Sequence, residues 1–193
     1  MKLDFGIVVI GASTGGLKAL QILLSGLPPA FPLPVAIVQH RGTDSESGLS
    51  EFLHRWSNLP VREPEDKEPI ETGHAYLAPR DYHLLVESGS FALSTDSPVV
   101  YARPSIDVLF ESAADEYGDR AIGVILTGAN HDGARGLGKI KARGGLTIVE
   151  DPASAVCRAM PEAAIAQTTV DWVLPLPEIA ACLEKLGDHG FAI

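Results

Sequence analysis

The sequence predicts an α/β fold: a doubly wound, mostly parallel sheet with helices on both faces and an added antiparallel hairpin. Three observations carry this. Three segments, 5–10, 35–39 and 121–126, are apolar at nearly every position, as strands covered on both faces must be. Amphipathic segments with helical spacing alternate with them. The first and third strands run straight into glycine-rich turns, GASTGG at 11–16 and TGANHDG at 127–133, which is how such sheets hand a strand to a helix.

The elements follow in order. After the strand at 5–10, Leu17, Leu20, Leu24 and Leu27 form one stripe of a helix starting near Gly16, and Pro28-Pro29 ends it. The strand at 35–39 terminates at His40. Leu49, Phe52, Leu53 and Trp56 at i, i+3, i+4, i+7 predict an amphipathic helix over 45–57. Short alternating stretches at 75–78, 83–87 and 91–95, with Ser88-Gly89-Ser90 between the last two, predict a hairpin beside the main sheet. A helix begins at Pro104 or Ser105 and turns Ile106, Leu109, Phe110, Ala113 and Tyr117 inward. The strand at 121–126 is followed by a helix, a strand at 145–149, a helix at 160–167, a strand at 171–174 and a helix at 177–186. The tail after Gly187 is expected to fray. No repeat, low-complexity tract or linker interrupts 1–193, so one domain is expected over the whole chain.

Composition narrows the function. The chain has 193 residues, 46% hydrophobic and 21% charged, and a formal net charge of −10. A packed core is expected, and the acidic balance with scattered basic residues argues against a nucleic-acid partner. The densest basic group, KIKAR at 139–143, reads as a solvated helix face. Cys157 and Cys182 lie in no C-x-x-C pair, which removes zinc and dithiol chemistry and leaves two core or near-core thiols in a reducing compartment. The apolar opening is too short for a signal peptide or membrane span, so a cytoplasmic location without membrane insertion is expected.

Three residues stand out because each follows a predicted strand. Ser13 sits in Gly11-Ala12-Ser13-Thr14-Gly15, a G-x-S-x-G turn that can expose a hydroxyl beside unpaired backbone N–H groups. Alone, it reads equally well as a helix cap. The turn lacks the second glycine of a dinucleotide fingerprint and the lysine of a P-loop, and strand two ends in Gln39-His40 without the acid that a ribose would need. His40 alone would more often be structural, and Asp132 in a glycine loop more often a turn former. His131-Asp132 has no third partner with metal-ligand spacing. His54, His74, His83 and His189 read as surface residues. In a doubly wound sheet, however, the loops after strand ends share one rim, so Ser13, His40 and Asp132 meet there as nucleophile, base and orienter. The order Ser, His, Asp differs from that of the α/β-hydrolases.

With these residues in place, the chain resembles the catalytic domain of the bacterial chemotaxis protein-glutamate methylesterases. The matching stretches are IGASTGG at 10–16, VQH at 38–40, GHAYLAP at 73–79, RPSIDVLF at 103–110, GVILTGANHDGARG at 123–136 and AMPEAAI at 159–165. The resemblance implies Ser13 as nucleophile, His40 as general base, Asp132 as triad aspartate, and the backbone N–H groups of Thr14 and Ala129 as the oxyanion site. It implies hydrolysis of glutamyl γ-methyl esters on a chemoreceptor-like signalling protein, deamidation of glutamines in many members, and no cofactor. A non-catalytic signalling module that binds a methylated protein or sensor kinase is the alternative. The family loop usually reads TGMGNDG; here Ala129 stands for methionine, His131 for asparagine, and Arg41 where many relatives have methionine. Relatives typically carry an N-terminal receiver domain, whereas Met1 stands a few residues before strand one. The expectation is therefore control by a separate response regulator or kinase, or a constitutively open site.

Overall fold

The computed structural model describes residues 2–41, 48–189 and 191–192. In chain order the elements are β1 (Lys2–Leu3), β2 (Ile7–Ala12), α1 (Gly16–Gly26), β3 (Val35–Gln39), α2 (Leu49–Trp56), β4 (Val61–Arg62), β5 (Ala75–Leu77), β6 (His83–Glu87), β7 (Ser90–Ser94), α3 (Ile106–Tyr117), β8 (Ala121–Ile125), α4 (Ala134–Ala142), β9 (Leu146–Glu150), α5 (Ala159–Gln167), β10 (Trp172–Leu174), α6 (Leu176–His189) and β11 (Phe191–Ala192).

Seven strands make one parallel sheet in the order β10-β9-β8-β2-β3-β5-β4. From β2 the chain winds one way through β3, and from β8 it winds the other way through β9 and β10. The reversal lies between β2 and β8, which is where open α/β sheets open a crevice at their carboxyl edge. The unbroken apolar runs have a direct cause: successive side chains point to opposite faces, and both faces are covered. Val8, Ile10 and Ala12 of β2 join the core under α1, α2 and α6, with Leu20, Leu24, Leu53 and Leu183. Ile7 and Val9 join the other core under α3, α4, α5 and the hairpin, with Ile106, Phe110, Leu137 and Phe91.

Several expectations need correction. The stretch at 75–78 belongs to the main sheet, where β5 pairs in parallel with β3; the antiparallel hairpin is β6–β7 alone, a separate two-stranded sheet. The short edge strand β4 went unpredicted because two residues carry no period. Leu17 and Trp56 are exposed, at 39% and 52%, because the buried stripes run instead through Ala19, Leu20, Leu23 and Leu24 in α1 and through Leu53 in α2. The helix expected from 45 begins at Leu49, and 42–47 lie outside the described residues. The tail does not simply fray: α6 extends to His189, and β11 pairs antiparallel with β1. His83 is no surface residue. It is 1% exposed, its Nδ1 accepts the Ser105 N–H at 3.2 Å, and its Nε2 lies 3.2 Å from the Ser97 carbonyl.

One glycine sets how closely the two layers approach the site. A Cβ placed on Gly11 would stand 2.4 Å from Ile106 Cγ2. The absence of a side chain at the end of β2 lets the first turn of α3 settle against the sheet. Gly11→Ala is therefore expected to cost about 1–3 kcal/mol through overpacking of a rigid contact, seen as a lower urea midpoint at unchanged m.

Candidate active site

Backbone pairing brings the loops together. Ala12 pairs with Gln39, and the His40 N–H bonds the Ala12 carbonyl at 2.9 Å. Ser13 thus leaves β2 beside the residue that leaves β3. The Gln39 side chain, 6% exposed, braces both: its Nε2 donates to the Ser13 carbonyl at 2.9 Å and the His40 carbonyl at 2.8 Å. On the other side the Ser13 N–H bonds the Thr127 carbonyl at 3.0 Å, tying the turn to the loop after β8. The Thr127 hydroxyl donates to the Thr14 carbonyl at 2.8 Å and accepts the Cys157 N–H at 2.8 Å. The N–H groups of Thr14 and Ala129 donate to no acceptor among the described residues, and both residues are exposed.

Asp132 is fully buried and accepts four hydrogen bonds. Oδ2 takes His40 Nε2 at 2.7 Å and the Ile106 N–H at 2.7 Å; Oδ1 takes the Ser105 hydroxyl at 2.9 Å and the Asp107 N–H at 3.0 Å. The carboxylate sits on the N-terminus of α3, where unpaired N–H groups and the helix dipole favour a negative charge. Burial pushes its pKa up, but the bonds from His40 and from the Asp107 and Ile106 amides outweigh this and hold it below the ordinary 3.8. An ionised carboxylate can only accept, so the proton on this contact belongs to His40 Nε2. The lone pair is then on Nδ1.

Asn130 meets that lone pair. Its Oδ1 accepts the Asp132 N–H at 3.1 Å, which leaves its amide NH₂ 3.3 Å from His40 Nδ1. Among the described residues no hydrogen bond joins the Ser13 hydroxyl to His40. The structure therefore brings His40 and Asp132 into contact and places Ser13 on the adjoining loop. Two hollows flank them. A cleft of about 500 Å³ is lined by His40, Asn130 and His131. A second, of about 380 Å³, is lined by Ser13, Gly15, Leu17 and Phe52.

The supporting acids went unseen in the sequence. Asp107 is 2% exposed, and its Oδ1 accepts the N–H groups of Gly133 and Gly136 at 3.0 and 2.8 Å. The two helix starts thus exchange acids: Asp132, in the loop just before α4, stands on α3, and Asp107 of α3 stands on α4. An S-I-D start to α3 signals only an ordinary cap; nothing in it points to residue 132. Glu150, 1% exposed at the end of β9, accepts the Thr127 N–H at 2.8 Å. No three His, Cys, Asp or Glu side chains converge as a metal site among the described residues.

The buried acids make opposite contributions to stability against pH. Burial raises the pKa of Asp107 above 3.8 and that of Glu150 above 4.5. Above those values the unfolded chain ionises while the folded chain still holds the proton, so this contribution to stability is lost as pH rises through the folded pKa. Asp132 is depressed: its contribution is present above 3.8 and is lost as pH falls through its folded pKa. Asp107→Asn keeps an acceptor for Gly133 and Gly136 and removes the ionisation. It should flatten the decline of unfolding free energy above pH 3.8, by at most about 1.4 kcal/mol per pH unit. Urea titrations across pH 4 to 7 would read this; an unchanged slope would contradict it.

The family model for CheB methylesterase matches residues 8–183. A protein of Anaeromyxobacter dehalogenans named protein-glutamate methylesterase/protein-glutamine glutaminase 2 is 45% identical over 180 residues, which are 93% of this chain and 53% of that protein. A protein of Leptospira interrogans named for the same two activities is 46% identical over 188 residues, 97% of each chain. The crystal structure of the Thermotoga maritima CheB methylesterase catalytic domain superposes with a TM-score of 0.89 at 37% identity, covering 95% of this chain and 99% of that one. No helix among the described residues is long and apolar enough to cross a membrane. The chain belongs to the CheB methylesterase family.

Proposed function

We propose that residues 1–193 form one catalytic domain, a serine hydrolase that removes methyl groups from glutamyl γ-methyl esters on a chemoreceptor-like signalling protein in the bacterial cytoplasm. The same site would deamidate glutamines. The observation that carries this is the 2.7 Å bond between His40 Nε2 and buried Asp132 at the sheet's switch point, one strand from the Ser13 turn.

The chemistry follows from that geometry. Ser13 Oγ attacks the ester carbonyl while His40 Nδ1 takes its proton, and Asp132 stabilises the imidazolium. For this the serine hydroxyl displaces the Asn130 amide from Nδ1. The carbonyl oxygen becomes an oxyanion against the free N–H groups of Thr14 and Ala129. The C–O bond to the methoxy group breaks, and His40 returns the proton to release methanol. Water then attacks the acyl-enzyme with His40 again as base, giving glutamate and free Ser13. With glutamine the leaving group is ammonia. No step calls for a cofactor. Control by a separate response regulator or kinase is part of the same proposal.

The test is direct. Methanol and ammonia are measured from receptor-derived peptides bearing a glutamyl methyl ester or a glutamine, alongside stoichiometric labelling by a fluorophosphonate. Methanol release with labelling mapped to Ser13 is expected. Absence of both would overturn the proposal in favour of a binding module.

A further inference from the structure

The cleft beside His40 reverses the charge of the molecule. The chain carries a net charge of −10, yet among the described residues three arginines, Arg41, Arg80 and Arg103, line this one cleft against one lining carboxylate, Asp81. Arg80 is engaged with Asp81, Nε to Oδ2 at 3.4 Å. The other two are held in place. Arg41, next in sequence to His40, has a side chain only 7% exposed; its Nη2 pairs with Glu63 at 2.8 Å, and its buried Nε–H has no partner among the described residues. Arg103 donates Nη1 to the carbonyls of Thr95 and Asp96 at 2.8 and 3.1 Å, and its buried Nε–H is likewise unpartnered. Two carbonyls fix its orientation without neutralising it. Among the described residues no carboxylate forms an ion pair with Arg103. A buried donor without an acceptor is costly, and both of these belong to side chains that line this cleft.

The rim carries a second, independent sign. Val99 and Ala102 exchange N–H···O bonds at 3.0 and 2.9 Å, closing a two-residue turn in which Val100 and Tyr101 both take positive φ, 50° and 62°. Such turns favour Asn and Gly; a β-branched residue there is strained. The turn places Tyr101 wholly in solvent, at 102% of its reference area, on the cleft's edge. Strain that persists at a cleft points to use.

We propose that this cleft is a subsite for a carboxylate of the substrate chain flanking the residue being hydrolysed, with Arg103 as its cation, Arg41, already paired with Glu63, lining the same cleft, and Tyr101 packing on the adjoining peptide. The proposal rests on the hydrolase reading of the Ser13–His40 edge. The reach is short. Arg41 adjoins His40 in the chain, and Arg103 is two residues from Ser105, which bonds the Asp132 that orients His40. The ligand is an acidic peptide segment. A rigid, uncompensated guanidinium selects a carboxylate over its amide, since only the former supplies charge as well as an acceptor.

The experiment compares two peptides that carry the same glutamyl methyl ester, one flanked by glutamates and one by glutamines. Methanol release at low salt gives kcat/KM for each. The wild-type protein should prefer the acidic peptide by roughly tenfold or more, carried by KM, with the preference shrinking at high salt. Arg103→Gln should bring the ratio close to one, and Arg103→Glu should turn the preference toward a lysine-flanked peptide. Each ratio is internal to one preparation, so partial loss of folded protein cancels. Turnover of both peptides at equal efficiency by the wild type, or a preference that survives in both Arg103 variants, would overturn the subsite while leaving the hydrolase standing. Failure to turn over either peptide, with no fluorophosphonate labelling, would overturn the hydrolase and the subsite with it.

Discussion

Asp132→Asn is expected to lower kcat by about 10⁴ and to destabilise the fold by about 3 kcal/mol or more. The two losses share one origin. Both carboxylate oxygens accept from donors only: His40 and the Ile106 amide on Oδ2, the Ser105 hydroxyl and the Asp107 amide on Oδ1. An asparagine places an NH₂ against one of these pairs in either orientation. If it faces His40, the imidazole must present a lone pair at Nε2 and carry its proton on Nδ1, the wrong tautomer for a base at that nitrogen. If it faces Ser105 and Asp107, the N-terminus of α3 loses its anion. Esterase assays and urea unfolding on the same preparation check both effects. A variant that keeps full activity would remove Asp132 from the catalytic scheme; one that keeps full stability would contradict its structural role.

Ser13→Ala separates chemistry from structure. It should reduce methanol release by as much as about 10⁶ and abolish fluorophosphonate labelling. The hydroxyl makes no hydrogen bond among the described residues; the Ser13 main chain, held by Thr127 and Gln39, is untouched. Stability should therefore stay within about 0.5 kcal/mol of wild type. This contrast with Asp132→Asn is informative: one member of the set is replaceable without structural cost, and the other is a keystone of α3. Wild-type turnover by Ser13→Ala would exclude the serine mechanism.

The local signals in the sequence were strong where one periodicity or one turn decided the outcome. Val35–Gln39 is a strand because five apolar or buried residues leave no polar face. The Ser13 turn is legible because Gly15 takes φ 81°, a conformation that favours glycine, and the chain then enters α1. Signals were weak where a partner far along the chain made the choice. Leu17 and Trp56 fit helical stripes but are exposed, since the faces that pack on the core run through Leu20, Leu23 and Leu24 in α1 and through Leu53 in α2. His83 resembles any hairpin histidine until Ser105 arrives to use its Nδ1. Asn130 reads as a turn residue; its contact with His40 Nδ1 exists only because β2 separates the two loops by a single strand.

By itself, then, the sequence determined the alternation of strands and helices, the two glycine turns, and the identity of the three side chains at the strand ends, because each depends on neighbours a few residues away. Tertiary structure decided what those side chains do to one another. It put Asp132 on the N-terminus of α3, gave the imidazole its tautomer, set the Asn130 amide against His40 Nδ1, and gathered three arginines from separate segments into one cleft of an acidic protein. These are matters of angle and distance between segments up to about a hundred residues apart, such as His40 and Asp132. They arise only when the sheet closes in its order, because hydrogen bonds and ion pairs act over a few ångströms and carry no trace in local sequence.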